Sequence, residues 1–150
     1  MKKEIKYLIM LIMLFFTVNL SAQEGLRISD VFQYYGKKHG STMVQLSSDV
    51  LSSYNMTLYI SLSFHPSTKG NKGLDWVTNC IDQDKKRAKK IKETMLDGKL
   101  QSGYFQLSQI QKGTNRFILF KINQKQKATL IYIEGSLDST ELVTMLFNKK

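Results

Sequence analysis

The sequence predicts an α+β domain: a small antiparallel sheet of four to five strands, ending in a C-terminal meander, packed against two to three helices. Three observations predict it. Apolar residues alternate at period 2 over Thr57–Phe64 and again in three runs after Gly103. They recur near period 3.6 over Leu74–Leu96. Helical and extended patterns do not follow one another in regular βαβ order, which argues against a parallel α/β sheet.

The first helix is expected over Ser29–His39, with Ser29 or Asp30 as cap and Val31, Phe32 and Tyr35 on one face. Lys37, Lys38 and His39 suit the negative end of its dipole, and Gly40 can end the turn. Thr42–Leu46 reads as a short strand, with Val44 and Leu46 on one side. A brief helix over Ser47–Tyr54 follows, capped by Ser47 or Ser48. In the next strand, Thr57–Phe64, Leu58, Ile60, Leu62 and Phe64 point one way and Thr57, Tyr59, Ser61 and Ser63 the other. His65–Gly73 is a loop by composition.

Leu74–Leu96 reads as one long helix. Leu74, Val77, Ile81, Ala88, Ile91 and Met95 make its apolar stripe, Asp84 interrupts it, and Asp97-Gly98 gives the stop signal. Strands follow at Tyr104–Ile110, Arg116–Asn123 and Ala128–Glu134, with turns at Lys112–Asn115 and Gln124–Lys127. A last helix over Asp138–Asn148 carries a capping box, Asp138 with Glu141. The last two strands are apolar on both faces, so a helix or a partner is expected on the second face as well.

Ahead of this domain stands a leader. Lys2, Lys3 and Lys6 precede an apolar run from Tyr7 to Leu20, and Ser21, Ala22 and Gln23 follow. That order is a secretory signal, residues 1–22, with cleavage expected after Ala22 and one domain over residues 23–150. Leu20 departs from the small residue that an A-x-A site wants. The alternative, an uncleaved anchor, is disfavoured because the run is shorter than the roughly 20 apolar residues that span a bilayer. A periplasmic or secreted location follows.

Cys80 is the only cysteine, so no disulfide can form within the chain, and no lipidation cysteine stands at the cleavage site. Of the net charge of +10, about +8 stays with residues 23–150, which favours anionic partners. Nucleic acid is not expected as a target outside the cytoplasm.

The order Phe32-Gln33-Tyr34-Tyr35, Lys37-Lys38, Gly40, then Val44-Gln45-Leu46-Ser47 with Val50-Leu51, resembles the opening of an exported Bacteroidetes domain of unknown function. Gly103-Tyr104 with Leu107, and Thr129–Gly135 before the last helix, continue the resemblance over nearly all of the mature chain. The families it resembles are the related 4252-like and 6108-like domains of unknown function. The resemblance implies an envelope or secreted location and a small α+β fold, and it implies no activity.

The residues themselves offer no catalytic, cofactor-binding or metal constellation. His39 and His65 are the only histidines, one at a helix end and one beside Pro66, and no GxSxG elbow accompanies them. Two histidines and Cys80, widely spaced, do not resemble a zinc site. Cys80 lies at the margin of the helical stripe and reads as an inert, partly buried thiol. Asp82 and Asp84 are expected to pair with Lys85 and Lys86, and Glu134 to make a strand-end contact.

The most distinctive feature is basic: Lys85-Lys86-Arg87-Ala88-Lys89-Lys90-Ile91-Lys92. On a helix, Lys86, Arg87, Lys89 and Lys90 would fan over one outer face, able to meet anionic lipid or an acidic glycan. The plainer reading is a solvated face. Phe117 and Leu119, on a doubly apolar strand, are candidate protein contacts, and Asp138-Ser139-Thr140 matches an O-glycosylation acceptor pattern at Ser139. The chain is therefore expected to be a non-catalytic binding module whose partner is an envelope protein. Attachment to anionic membrane or a polyanion through residues 85–92 is the alternative, and an enzyme of unseen class a third reading.

Overall fold

The computed structural model describes residues 3–4, which are helical, and 25–147. Nearly all of the expected leader lies outside the described residues. The chain forms α1 (Ile28–Tyr35), β1 (Thr42–Ser47), α2 (Ser48–Leu51) with a 3₁₀ turn at Ser52–Tyr54, and β2 (Met56–Phe64). It continues through α3 (Leu74–Lys85), β3 (Ala88–Leu96), β4 (Lys99–Leu107), β5 (Asn115–Ile122), β6 (Ala128–Gly135) and α4 (Ser139–Phe147). The fold is α+β, with six strands in one antiparallel sheet of order β1-β2-β6-β5-β4-β3. Among residues 25–147, six strands and four helices replace the four to five strands and two to three helices expected.

The added strand is the main correction. The helix expected to run to Leu96 ends at Lys85, and Ala88–Leu96 pairs with β4 as an edge strand. The reason lies in Asp97 and Gly98, whose φ angles are +52° and +74°. Two successive left-handed residues between paired Leu96 and Lys99 make the tight hairpin turn that matches strand twist. Asp-Gly is therefore a hairpin turn here, and not a helix stop.

One face of the sheet is covered by α1 and α3. Ile28, Val31, Phe32 and Tyr35 from α1, with Val77, Cys80 and Ile81 from α3, pack on Ile60, Leu62, Phe64, Phe105, Ile118 and Leu130. The alternation expected for β2 is observed, since Ile60, Leu62 and Phe64 are buried in this core. Ile118 is fully buried, whereas Ile91, on the edge strand, is 51% exposed.

The first turn of α1 is satisfied from a distance. The Asp84 carboxylate, on α3, accepts from Arg27 N at 2.7 Å and Ile28 N at 2.9 Å. Neither Ser29 nor Asp30 caps the helix; the Ser29 hydroxyl donates back to the Leu26 carbonyl. Asp84 interrupts the apolar stripe because it serves this helix end, so it does not pair with a lysine as expected. The expected pair of Asp82 with Lys85 does form, at 3.6 Å, and Lys85 also bonds Glu93 at 2.8 Å.

On the second face, α2 and α4 cover only part of the sheet. Leu51, Met56, Phe117, Ile133, Leu137 and Leu142 form a second core there. The capping box at α4 is reciprocal: Glu141 N donates to Asp138 Oδ1 at 2.8 Å, and Asp138 N to Glu141 Oε2 at 3.0 Å. At the margin of this layer β6 meets β2 closely; a Cβ on Gly135 would lie 2.2 Å from the Asn55 carbonyl oxygen, so only glycine fits.

Candidate functional site

The register of the sheet sorts its second face into cross-strand rows. Under α4 lie Phe117 and Ile133, paired and buried. The next row runs Lys92, Tyr104, Leu119, Ile131 across β3 to β6. The row beyond it runs Thr94, Ser102, Lys121, Thr129. The surface thus grades from dry and apolar, through half-buried and apolar, to polar. The middle row packs on the margin of the second core but stays only half-buried among the described residues, as the floor of a groove beside α4.

That groove encloses about 740 Å³. Tyr104, Leu119 and Ile131 contribute to its floor, and α4 supplies a wall from Ser139, Thr140, Val143, Thr144 and Leu146. This spacing presents one helical face to the groove, while Leu142 turns into the second core. Lys90, Lys92 and Lys121 complete the lining on the strand side, together with hydroxyls of Thr94, Ser102 and Thr129. Among the described residues no carboxylate, histidine or cysteine side chain lines it. The groove is apolar below and cationic at the rim, in the size range of about 300–1,000 Å³ typical of small-ligand sites.

One end of the groove is closed by a long-range contact: Lys90 Nζ donates to the Ser139 hydroxyl at 3.2 Å. The Tyr104 phenol beside it is raised above its usual range, chiefly by burial, with the Ser139 hydroxyl acting in the opposite sense. Lys90 and Ser139 were expected to belong to different sites, one to a basic helix and the other to a modified cap.

The basic run is dispersed by the same geometry. Lys86 and Arg87 lie in the turn between α3 and β3, while Lys89 falls at a register irregularity between Ala88 and Lys90, and Lys90 pairs opposite Gln106. Arg87 acts on Asp84, on the side of the first core. Lys86, Arg87, Lys89 and Lys90 therefore form no common helical face. The cations that share a site are Lys90, Lys92 and Lys121. Sequence reading missed Lys92 because it assigned helical periodicity to the run, and Lys121 because only the sheet pairing brings β5 to this face beside β4 and β3. The signal was the alternation Lys90, Lys92, Thr94, which places those three on one side of a strand.

Phe117 is fully buried in the second core and is not an accessible contact, which corrects the expectation for that residue. Leu119, two residues on, is half-buried and lies in the groove.

Elsewhere the titratable groups are structural. Burial pushes the Cys80 thiol up, in keeping with an inert side chain. Glu134 accepts from the Tyr132 hydroxyl, and burial, aided by that carboxylate, raises the Tyr132 phenol far above its usual range. Buried Arg116 stands opposite Glu134 in register and donates to the Ser108 carbonyl at 2.9 Å. His39 and His65 are exposed, after α1 and after β2 respectively. Among the described residues no group of His, Cys, Asp and Glu could hold a metal ion. No helix among them is long and apolar enough to cross a membrane.

A second polar cluster pins the 65–73 loop. Lys38 and Lys72 stand 4.4 and 4.7 Å from the Tyr34 ring, and Lys72 lies 5.4 Å from the Trp76 ring. The Tyr35 hydroxyl donates to the Lys72 carbonyl and accepts from Ser67 N. Part of the positive surplus is thus spent on cation–π contacts within the fold.

A family model described as "Family of unknown function (DUF6108)" matches residues 15–146. The chain belongs to this family. Its match spans every strand and almost all of α4, so the groove of this DUF6108 chain is built wholly from residues inside the family's domain. No curated protein sequence matches the DUF6108 chain.

Proposed function

We propose that this chain is an exported, non-catalytic binding module whose ligand site is the groove between α4 and strands β3–β6. One observation carries the reading: a half-buried apolar floor, Tyr104–Leu119–Ile131, is left uncovered beside a helix that buries the adjoining row. Leaving apolar surface in a concave, wet site costs stability, so its retention is accounted for by a ligand. Lysines and hydroxyls around it supply donors that orient a ligand without a paired acid and base for chemistry. Export rests on the order Lys2–Gln23, and places the module in the periplasm or outside the cell.

A neutral, environment-sensitive dye tests the groove. Val143 is 42% exposed on the wall, and Met145, 38% exposed on the same helix, is outside the lining. Val143→Trp should abolish the dye's fluorescence gain, and Met145→Trp should leave it intact. Equal dye binding by the two variants and the parent would defeat the groove reading. An O-linked sugar on Ser139 is a competing proposal for that end of the groove, and the intact mass of protein from the native host decides it.

A further inference from the structure

We infer that the groove takes a free long-chain carboxylic acid, its single acyl chain lying on the Leu119–Ile131 floor and its carboxylate at the lysine rim. The inference rests on the groove reading above and adds the ligand class. Charge complementarity selects it. The rim carries Lys90, Lys92 and Lys121, and among the described lining residues there is no acid. The Asp138 carboxylate acts on Tyr104 from the Ser139 end, so an anionic group is favoured toward Lys92 and Lys121, where hydroxyls of Ser102 and Thr129 flank Lys121 in register.

Other occupants fit the chemistry less well. A second copy of residues 23–150 brings a net charge of about +8 against +8. The chain's own leader is apolar enough, but Lys2, Lys3 and Lys6 against Glu4 leave it cationic, so the rim repels it. A polyanion such as a glycan satisfies the lysines and leaves the apolar floor wet. A membrane surface cannot reach that floor, because α4 walls it on one side and makes it concave. A slender amphiphile with one negative end matches floor and rim together.

The arrangement also predicts how selectivity divides. Burial of methylenes gives affinity and does not distinguish an acid from an alcohol. The lysines distinguish them. Displacement of the neutral dye by hexadecanoic acid, hexadecanol and vesicles of anionic phospholipid separates the contributions. The acid should displace the dye at least about tenfold more tightly than the alcohol at pH 7.5 and low salt. The variant carrying Lys90→Gln, Lys92→Gln and Lys121→Gln should bind both alike, with its melting temperature within a few degrees of the parent because all three side chains are exposed and only the Lys90–Ser139 bond is lost. Dye binding with equal displacement by acid and alcohol would overturn the carboxylate inference while the groove reading stands. Displacement by vesicles alone would overturn it in favour of a membrane, and failure of the dye to bind would overturn both.

Discussion

Lys90 and Ser139, separated by 49 residues in the chain, meet at 3.2 Å and tie the edge strand β3 to the first turn of α4. This contact bridges the two sides of the groove. An exposed hydrogen bond of this kind contributes about 1 kcal/mol or less to stability, so its consequence is positional. Ser139→Ala should shift the melting temperature by no more than a few degrees while loosening the groove end. Increased hydrogen exchange at the first turn of α4, measured against the parent, is the expected result.

Asp84 is the most consequential buried carboxylate described, at 2% exposure. Asp84→Ala should cost about 2–5 kcal/mol, because two backbone donors at the start of α1 lose their acceptor. Chemical denaturation reads this directly, and a loss under about 0.5 kcal/mol would contradict the assignment of Asp84 as the cap.

The same residue sets a pH dependence. Burial raises the Asp84 carboxyl above its usual value, against the pull of the Arg27 and Ile28 N–H groups and of nearby arginines. A raised acid binds its proton more tightly in the folded chain. Its contribution is complete below about pH 3.9 and is lost as pH rises through the folded value. Relative to Asp84→Asn, the parent should therefore lose stability as pH rises from about 4 through the elevated pKa. A parent that gains on the variant across that interval would reverse the sign.

Two isoleucines separate the observed core from the expected one. Ile118→Asp places an unpaired charge at a fully buried position and should cost several kcal/mol. Ile91→Asp falls on a half-exposed edge position and should stay within about 1 kcal/mol. Equal losses at the two sites in urea melts would restore a helix at residue 91. Phe117→Ser belongs with Ile118, and its loss of about 3–5 kcal/mol would be a stability effect, not a contact effect.

The hairpin between β3 and β4 depends on backbone that few residues adopt. Gly98→Val should destabilise by about 1–2 kcal/mol, since a β-branched side chain is strained at φ +74°. Open space surrounds the Cβ position at Gly98, so conformation and not crowding would account for the loss. Thermal melts beside Gly40→Val, another exposed left-handed glycine outside any hairpin of the sheet, would show whether the cost is confined to this turn.

The export reading has its own check. Protein recovered from the envelope or medium should begin at or near Gln23. Mass spectrometry that finds the accumulated chain beginning at Met1 would defeat it.

Local patterns carried much of the fold in the sequence alone. Period-2 alternation placed β2, β5 and β6, and the Asp138–Glu141 spacing placed the start of α4, because pleat and cap chemistry act over a few residues. Residues 86–96 were different. Their apolar positions suited a helix continuing from α3, and only pairing with β4 through the left-handed Asp97-Gly98 turn made them a strand. That pairing settled the site too. From Lys90 onward the strand alternates its side chains, so it brought Lys90 and Lys92 to the same face as Lys121, 29 residues beyond Lys92 in the chain. Asp84 follows the same logic, since its partners are backbone groups more than 50 residues away. Contacts over such separations depend on which elements pack together, and a local periodicity does not encode them.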